Sequence, residues 1–206
     1  LEFTPYGVFG LMANIVGKYG MDVLLPYIKT IGACYLTCAL FTIFVQGGLM
    51  VGLYGGISPM KFFSTMKEAI LFVFATCSSV ATIPLNLKCT KALGVDDKIA
   101  DFVIPFGAVM NMNGTAIYEA VAVIFASQVF GIHLTVTQQI MVMVTAVLAS
   151  VGTAGIPGSG LVMMTIVLNA VNLPLETIGL LAGIDRILNM ARVIPNIVGD
   201  AAAAVV

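Results

Sequence analysis

Five polar side chains near the end of the chain, Asp185, Asn189, Arg192, Asn196 and Asp200, are spaced 4, 3, 4 and 4 residues apart. At 3.6 residues per turn they fall within a sector of roughly 80°, so on a helix they form one stripe. The surrounding sequence from Ile178 to Val206 is otherwise mostly apolar. Arg192 is the natural anion clamp, because its planar fork matches a carboxylate and stays charged at any relevant pH. Asn189 and Asn196 would orient the same ligand through amide hydrogen bonds. Pro195 lacks an N–H and so frees the carbonyl of Ala191, either as a cation ligand or as the mark of a kink. The other reading of the stripe is a salt-bridged seam between helices, with Asp185 paired to Arg186 or Arg192.

Three further segments place unusual residues in apolar surroundings. Asn111-Met112-Asn113-Gly114-Thr115 interrupts a long apolar run. Unwound carbonyls of Gly107, Val109 and Asn111, with the carboxylate of Asp200, would give a hard oxygen cage for a small cation, and Thr115 a hydroxyl for a ligand. The glycine-rich stretch Gly152 to Gly160 has the backbone freedom of a gate over a ligand; tight helix packing by small residues is the alternative. No Lys follows these glycines, so they are not a phosphate loop. Glu119 stands alone in apolar sequence. A lone carboxyl at membrane depth is a proton-carrier candidate, and pairing with another residue is the alternative.

The elements that hold these residues follow from composition. Of 206 residues, 60% are hydrophobic and 9% charged, against about 25% charged in soluble domains. Mean hydropathy is +1.07. No charge lies between Lys29 and Lys61, Glu68 and Lys88, Asp101 and Glu119, or Glu119 and Glu176. A spanning helix needs roughly 20 apolar residues, and each gap holds most or all of one. We therefore expect an all-α, multi-pass integral membrane protein. A net charge of −1 argues against a nucleic-acid partner. Cys34, Cys38, Cys77 and Cys89 fit no structural zinc spacing.

Six hydrophobic units are legible, from Phe3–Val16 to Ile178–Val206. The third is interrupted over Ala75 to Pro84 and the fifth over Ser150 to Gly160, and Ser79-Val80-Ala81-Thr82-Ile83-Pro84 resembles Ser150-Val151-Gly152-Thr153 followed by Ile156-Pro157. Two similar breaks in matching halves point to a binding site near the bilayer midplane. Irregular backbone survives there only when buried in protein or lining a cavity. The simplest geometry is two re-entrant helical hairpins whose tips meet. The expected layout is the end of a scaffold transmembrane helix over 1–20, then a transport domain over 21–206. That domain comprises a helix about 30–54, a hairpin about 60–93, a broken helix about 99–130, a hairpin about 134–171, and the polar-striped helix about 175–206. The chain opens inside an apolar segment and reads as part of a longer protein.

Asn-Met-Asn-Gly-Thr at 111–115, Ser-Val-Gly-Thr-Ala-Gly-Ile-Pro-Gly at 150–158, and Asp-Arg-Ile-Leu-Asn-Met-Ala-Arg at 185–192 with Asn196 and Gly199-Asp200 resemble the dicarboxylate/amino acid:cation symporter family. The resemblance implies a homotrimer, embedded in membrane lipid, whose transport domain moves like an elevator past a scaffold. It implies that Arg192 holds a substrate carboxylate, that Asn196 and Thr115 bind substrate, and that Ser78, Ser79 and Gly160 are hairpin-tip contacts. Gly107, Asn111, Asn196 and Asp200 match one sodium site; Val109, Ser150, Val151 and Thr153 match a second. Asn113 stands where the family has an aspartate of a third sodium site, so one or two sodium sites are expected. Asn189 replaces an aspartate that holds a substrate ammonium group, Val193 a threonine, and Cys77 and Met190 two arginines for which Arg186 compensates. Glu119 matches a glutamate proposed to carry protons.

The resulting expectation is a secondary symporter, not an enzyme, in a plasma or inner membrane. Its substrate is an acidic amino acid, a dicarboxylate or a neutral amino acid, coupled to sodium or protons. The alternative, motivated by the two Asn-for-Asp positions, is a degenerate member acting as an anion channel or a binding-only sensor.

Overall fold

The computed structural model describes residues 24–206 together with Tyr6, Phe9, Gly10, Ala13, Asn14, Val16, Gly17 and Gly20. The expected scaffold helix over 1–20 falls largely outside the described residues. Among these residues all regular structure is helical. Helix α1 (Leu24–Leu40) continues without interruption as a π-helix (Phe41–Tyr54). Then follow α2 (Pro59–Thr76), α3 (Ser79–Ala92), α4 (Asp97–Met110), α5 (Asn113–Val129), α6 (Val136–Val151), α7 (Ser159–Ala170), α8 (Glu176–Ala182) and α9 (Asp185–Val205). The stretches Leu25–Tyr54 and Asp97–Val129 are long and apolar enough to cross a bilayer. The last hydrophobic unit, expected as one helix, is split at Gly183-Ile184.

Local chemistry sets the boundaries. Pro59 opens α2 at the position where a missing N–H costs nothing. Cys77 ends it in the left-handed region, φ 55°, and reverses the chain. Ser78 then caps α3, its Oγ accepting from the Ala81 N–H. Asp96 caps α4 through the Lys98 N–H. Thr135 and Gln138 form a capping box at the start of α6. Gly158, φ 83°, turns the chain into α7. The two interrupted units thus become helix–turn–helix pairs, α2–α3 and α6–α7, each packed side by side; the first turn is at Cys77-Ser78, and Ser79 to Pro84, expected within the break, lies inside α3, which carries Pro84 in its interior.

The π-helix has a geometric consequence. Its buried residues are Thr42, Gln46, Gly47 and Val51. On an α-helix the nine steps from 42 to 51 would put the two ends of this set on opposite sides. The wider i→i+5 turn brings the set to one face, which packs on α9 and α2.

Helix α9 is central, touching α1, the π-helix, α2, α3, α4, α5 and α8. Its Leu188 belongs to an apolar core built with α1, α5, α6, α7 and α8. Its Val193, Ile197, Val198, Ala201 and Ala202 belong to a second, built with α2, α3 and α4. Arg192 lies at the boundary between the two. The outer face is apolar as well: Val136, Ile140, Met143, Val144, Val147 and Leu148 of α6 are all more than half exposed.

Candidate functional site: the cleft at Arg192

Asp185, Asn189, Arg192, Asn196 and Asp200 are all buried along α9, so the stripe faces inward. It is not a salt-bridged seam: the ion pairs among the described residues are Lys88–Glu68, Lys91–Asp97 and Lys91–Asp101, all away from it. Asp185 Oδ1 accepts a long bond, 3.5 Å, from the Tyr118 hydroxyl. Arg186 turns away and donates to the Ala75 carbonyl near the first tip at 2.7 Å.

Arg192 is 2% exposed. Its Nε donates to Asn189 Oδ1 at 2.8 Å, and its guanidinium carbon lies 4.8 Å above the Tyr118 ring centroid. Its Nη1 has no hydrogen-bond partner within the protein, and neither has Asn189 Nδ2. A buried cation with a free donor is an expensive arrangement unless an anion completes it. The cleft around it is lined by Cys77 and Ser79 of the first tip, Met112 and Thr115 of the α4–α5 break, and Gly155 and Ser159 of the second tip, with Asn189 and Asn196 of α9. Ser79 Oγ is also unpartnered.

The two tips touch. The Gly155 carbonyl accepts from Ser78 Oγ at 2.9 Å and from the Val80 N–H at 3.3 Å. A Cβ on Gly160 would overlap Arg192 Nη1, so glycine lets the second tip lie directly on the guanidinium. The remaining space is about 10 Å³, room for roughly one water. A ligand larger than a water does not fit beside Arg192 with the Gly155–Gly160 tip in this position.

Beside the cleft, the α4–α5 break docks on α9. The Gly114 N–H donates to Asn196 Oδ1 at 2.8 Å. A Cβ on Gly114 would land on the Arg192 carbonyl and 2.9 Å from Pro195 Cγ, so only glycine permits the approach. Asn196 Nδ2 reaches the Met112 thioether at 3.2 Å, and Thr115 Oγ1 lies 3.8 Å from the same sulfur.

The candidates for a first cation site also come together. Asn111 Nδ2 donates to Asp200 Oδ1 at 2.8 Å and to the Asn196 carbonyl at 3.1 Å. Asn113 Nδ2 donates to Asn111 Oδ1 at 2.6 Å. Gly107 abuts the Asp200 carboxylate, and Asp200 Oδ2 is buried without a partner. The second set is less closely joined. Ser150 and Thr153 are buried but bond locally, to the Val147 and Ala149 carbonyls. Val109 and Val151 are 50% and 40% exposed. Glu119 is fully buried, and neither carboxyl oxygen has a hydrogen-bond partner, so no residue pairs with it in this geometry. Sequence reasoning missed Tyr118, the Met112 thioether and Gln46, whose Nε2 donates to the Pro195 carbonyl at 2.7 Å.

A family model described as the sodium:dicarboxylate symporter family matches residues 1–206. The proton/sodium-glutamate symport protein of Bacillus subtilis (strain 168) is 36% identical over 206 residues, which is all of this chain and 48% of that protein. The C4-dicarboxylate transport protein of Serratia proteamaculans (strain 568) is 38% identical over 207 residues, again all of this chain and 48% of the relative. That of Cupriavidus pinatubonensis (strain JMP 134 / LMG 1197) is 37% identical over 206 residues, 47% of its length. The chain thus spans about half the length of these curated relatives.

Proposed function

The chain belongs to the sodium:dicarboxylate symporter family, a family of membrane transporters, and from that premise we propose that it is the substrate- and ion-binding part of a secondary symporter for a small dicarboxylate. One observation carries the substrate class: the free polar atoms that face the cleft are two donors, Arg192 Nη1 and Asn189 Nδ2, and one hydroxyl, Ser79 Oγ. Donors match carboxylate oxygens. A substrate ammonium group is best held by a carboxylate, and the residue beside Arg192 is the neutral Asn189, whose Oδ1 already accepts from Arg192 Nε. This favours a dicarboxylate over an acidic amino acid, and both over a neutral one.

In this reading Arg192 clamps one carboxylate, with Asn189, Asn196, Thr115, Ser78, Ser79 and Gly160 around the rest. Residues 21–206 form the transport domain, α2–α3 and α6–α7 are re-entrant hairpins, and the domain works as an elevator within a homotrimer in a plasma or inner membrane. Sodium is a co-substrate. Gly107, Asn111, Asn196 and Asp200 hold one ion, and Val109, Ser150, Val151 and Thr153 gather around a second as the α6–α7 tip closes. Asn113 removes a carboxylate from a third. Glu119 carries a proton. No covalent step is needed, since transport is a population shift between conformations that bind the ligands differently.

The test is a binding and uptake screen on the full-length protein with non-amino dicarboxylates, acidic amino acids and neutral amino acids, with and without sodium. Sodium-dependent, concentrative uptake of a dicarboxylate is expected. Asn189→Asp should then shift relative affinity toward the amine-bearing acid tenfold or more. Gradient-independent flux refutes coupling, and binding without flux favours a binding-only sensor.

A further inference from the structure

A cavity of about 260 Å³ lies between α1 with its π-helical continuation, α2 and α9. Its wall is almost wholly apolar, with Cys38 and Ile43 on one side, Phe63 and Ile70 on the second, and Ala191 and Pro195 on the third. It shares no lining residue with the cleft at Arg192. Both nevertheless use one turn of α9: Ala191 and Pro195 line the cavity, Arg192 and Asn196 the cleft.

Thr42 is also on the cavity wall. It is 6% exposed, and its Oγ1 has no hydrogen-bond partner within the protein. Elsewhere on the helices Thr30, Thr37, Thr65, Thr76 and Thr145 each donate the hydroxyl to the carbonyl four residues back. Thr42 sits where α1 gives way to the π-helix, and there the local bond is not made. A buried hydroxyl of this kind calls for a partner. The α9 wall adds an acceptor. Pro195 has no N–H to give to the carbonyl of Ala191, four residues earlier, and both residues line the cavity.

The volume exceeds the roughly 150 Å³ of an apolar cavity that takes up benzene. Ala39 and Ile43, which also line it, are exposed, and so are their neighbours Leu36 and Leu40. The mouth therefore opens on an apolar outer face, which in a membrane transporter suits entry from lipid.

We propose that this cavity binds a small apolar molecule bearing one hydroxyl, taken from the bilayer. A hydroxyl both accepts and donates: its oxygen takes the Thr42 hydrogen, and its own hydrogen goes to the Ala191 carbonyl. The occupant then supplies the bond that Pro195 cannot make, in the turn that carries Arg192 and Asn196. The site stands apart from the substrate cleft and does not depend on the substrate reading above.

The experiment uses the full-length protein in detergent and two probes that differ by one hydroxyl, thymol and p-cymene. Dissociation constants come from the rise of the unfolding midpoint with probe concentration, for the unaltered protein, Thr42→Val and Ala39→Phe. Thymol should bind the unaltered protein at least tenfold more tightly than p-cymene. Thr42→Val removes the hydroxyl and keeps the shape; it should shrink that preference to threefold or less and leave p-cymene within twofold. Ala39→Phe fills the mouth and should weaken both probes tenfold or more. Equal affinity for the two probes in the unaltered protein overturns the hydroxyl site and leaves a slot for an acyl chain. A preference that survives in Thr42→Val, or binding unmoved by Ala39→Phe, puts the probes elsewhere and overturns it too. If Thr42→Val does not fold, the probe pair and Ala39→Phe decide alone. Saturating dicarboxylate should leave thymol affinity within threefold, and displacement by it overturns the separate site. A protein that binds no dicarboxylate counts against the transport reading only, because the other arms need none.

Discussion

Replacing Arg192 by Met separates binding from stability. The substitution keeps length and removes charge. It deletes the Nε bond to Asn189, a charged–neutral hydrogen bond of about 1.5–3 kcal/mol, and the stacking on Tyr118, about 2 kcal/mol when desolvated. Against this, it removes a cation that is 2% exposed and has an unpartnered Nη1, whose burial costs several kcal/mol. The terms are of similar size, so substrate-free stability should change by no more than about 2 kcal/mol, a midpoint shift of roughly 5 °C or less. Binding should suffer far more. Removing one partner of a buried charge pair costs about 2–5 kcal/mol, which weakens a dicarboxylate by about 30-fold to several thousand-fold. Thermal unfolding of the full-length protein in detergent reads the first quantity, and calorimetric titration with the dicarboxylate at saturating sodium reads the second. A midpoint lowered by more than about 10 °C would mean that Arg192 holds the helices together. Affinity within threefold of the unaltered protein would mean that it touches no substrate.

Three other outcomes follow from contacts already described. Gly114→Ala drives a methyl into the Arg192 carbonyl and Pro195 ring; overpacking of about 1–3 kcal/mol should lower the unfolding midpoint by roughly 5 °C, and an unchanged midpoint refutes the close docking. Ser78→Ala loses both the cap on α3 and the bond to Gly155; at about 1 kcal/mol, amide exchange at residues 152–160 should speed up about fivefold with α9 unaffected. Glu119→Gln should flatten the pH dependence of uptake, and an unaltered profile would remove the proton role.

The sequence made the stripe on α9 legible because the period of an α-helix is regular and each polar residue there interrupts apolar neighbours. The breaks at Asn111–Met112 and Gly152–Gly158 were legible too, since glycines and small polar residues stop helices for known steric reasons, but the first break in the chain was placed too late, because Pro84 is carried inside α3 and the chain turns at Cys77-Ser78 instead. Gln46 was not. A single amide in a long apolar run has no periodic partner, and the face it occupies depends on a π turn that α-helical spacing does not reveal. Tyr118 was hidden differently. An aromatic residue on a buried helix is ordinary packing until the guanidinium above it is known, and that contact joins residues 74 positions apart. The division of the last hydrophobic unit at Gly183-Ile184 was missed because Asp185 directly after it reads as the first member of the stripe and not as the first turn of a new helix.

The shared acceptor at Gly155 has a thermodynamic meaning. One carbonyl receives a bond from Ser78 and another from Val80, so full release of the second tip costs both. Two net hydrogen bonds of about 1 kcal/mol each leave the open tip populated at roughly 3%. For a ligand that binds only the open tip, observed affinity falls about 30-fold below that of the open cleft. A change in either helix pair, α2–α3 or α6–α7, that weakens these two bonds raises the open population.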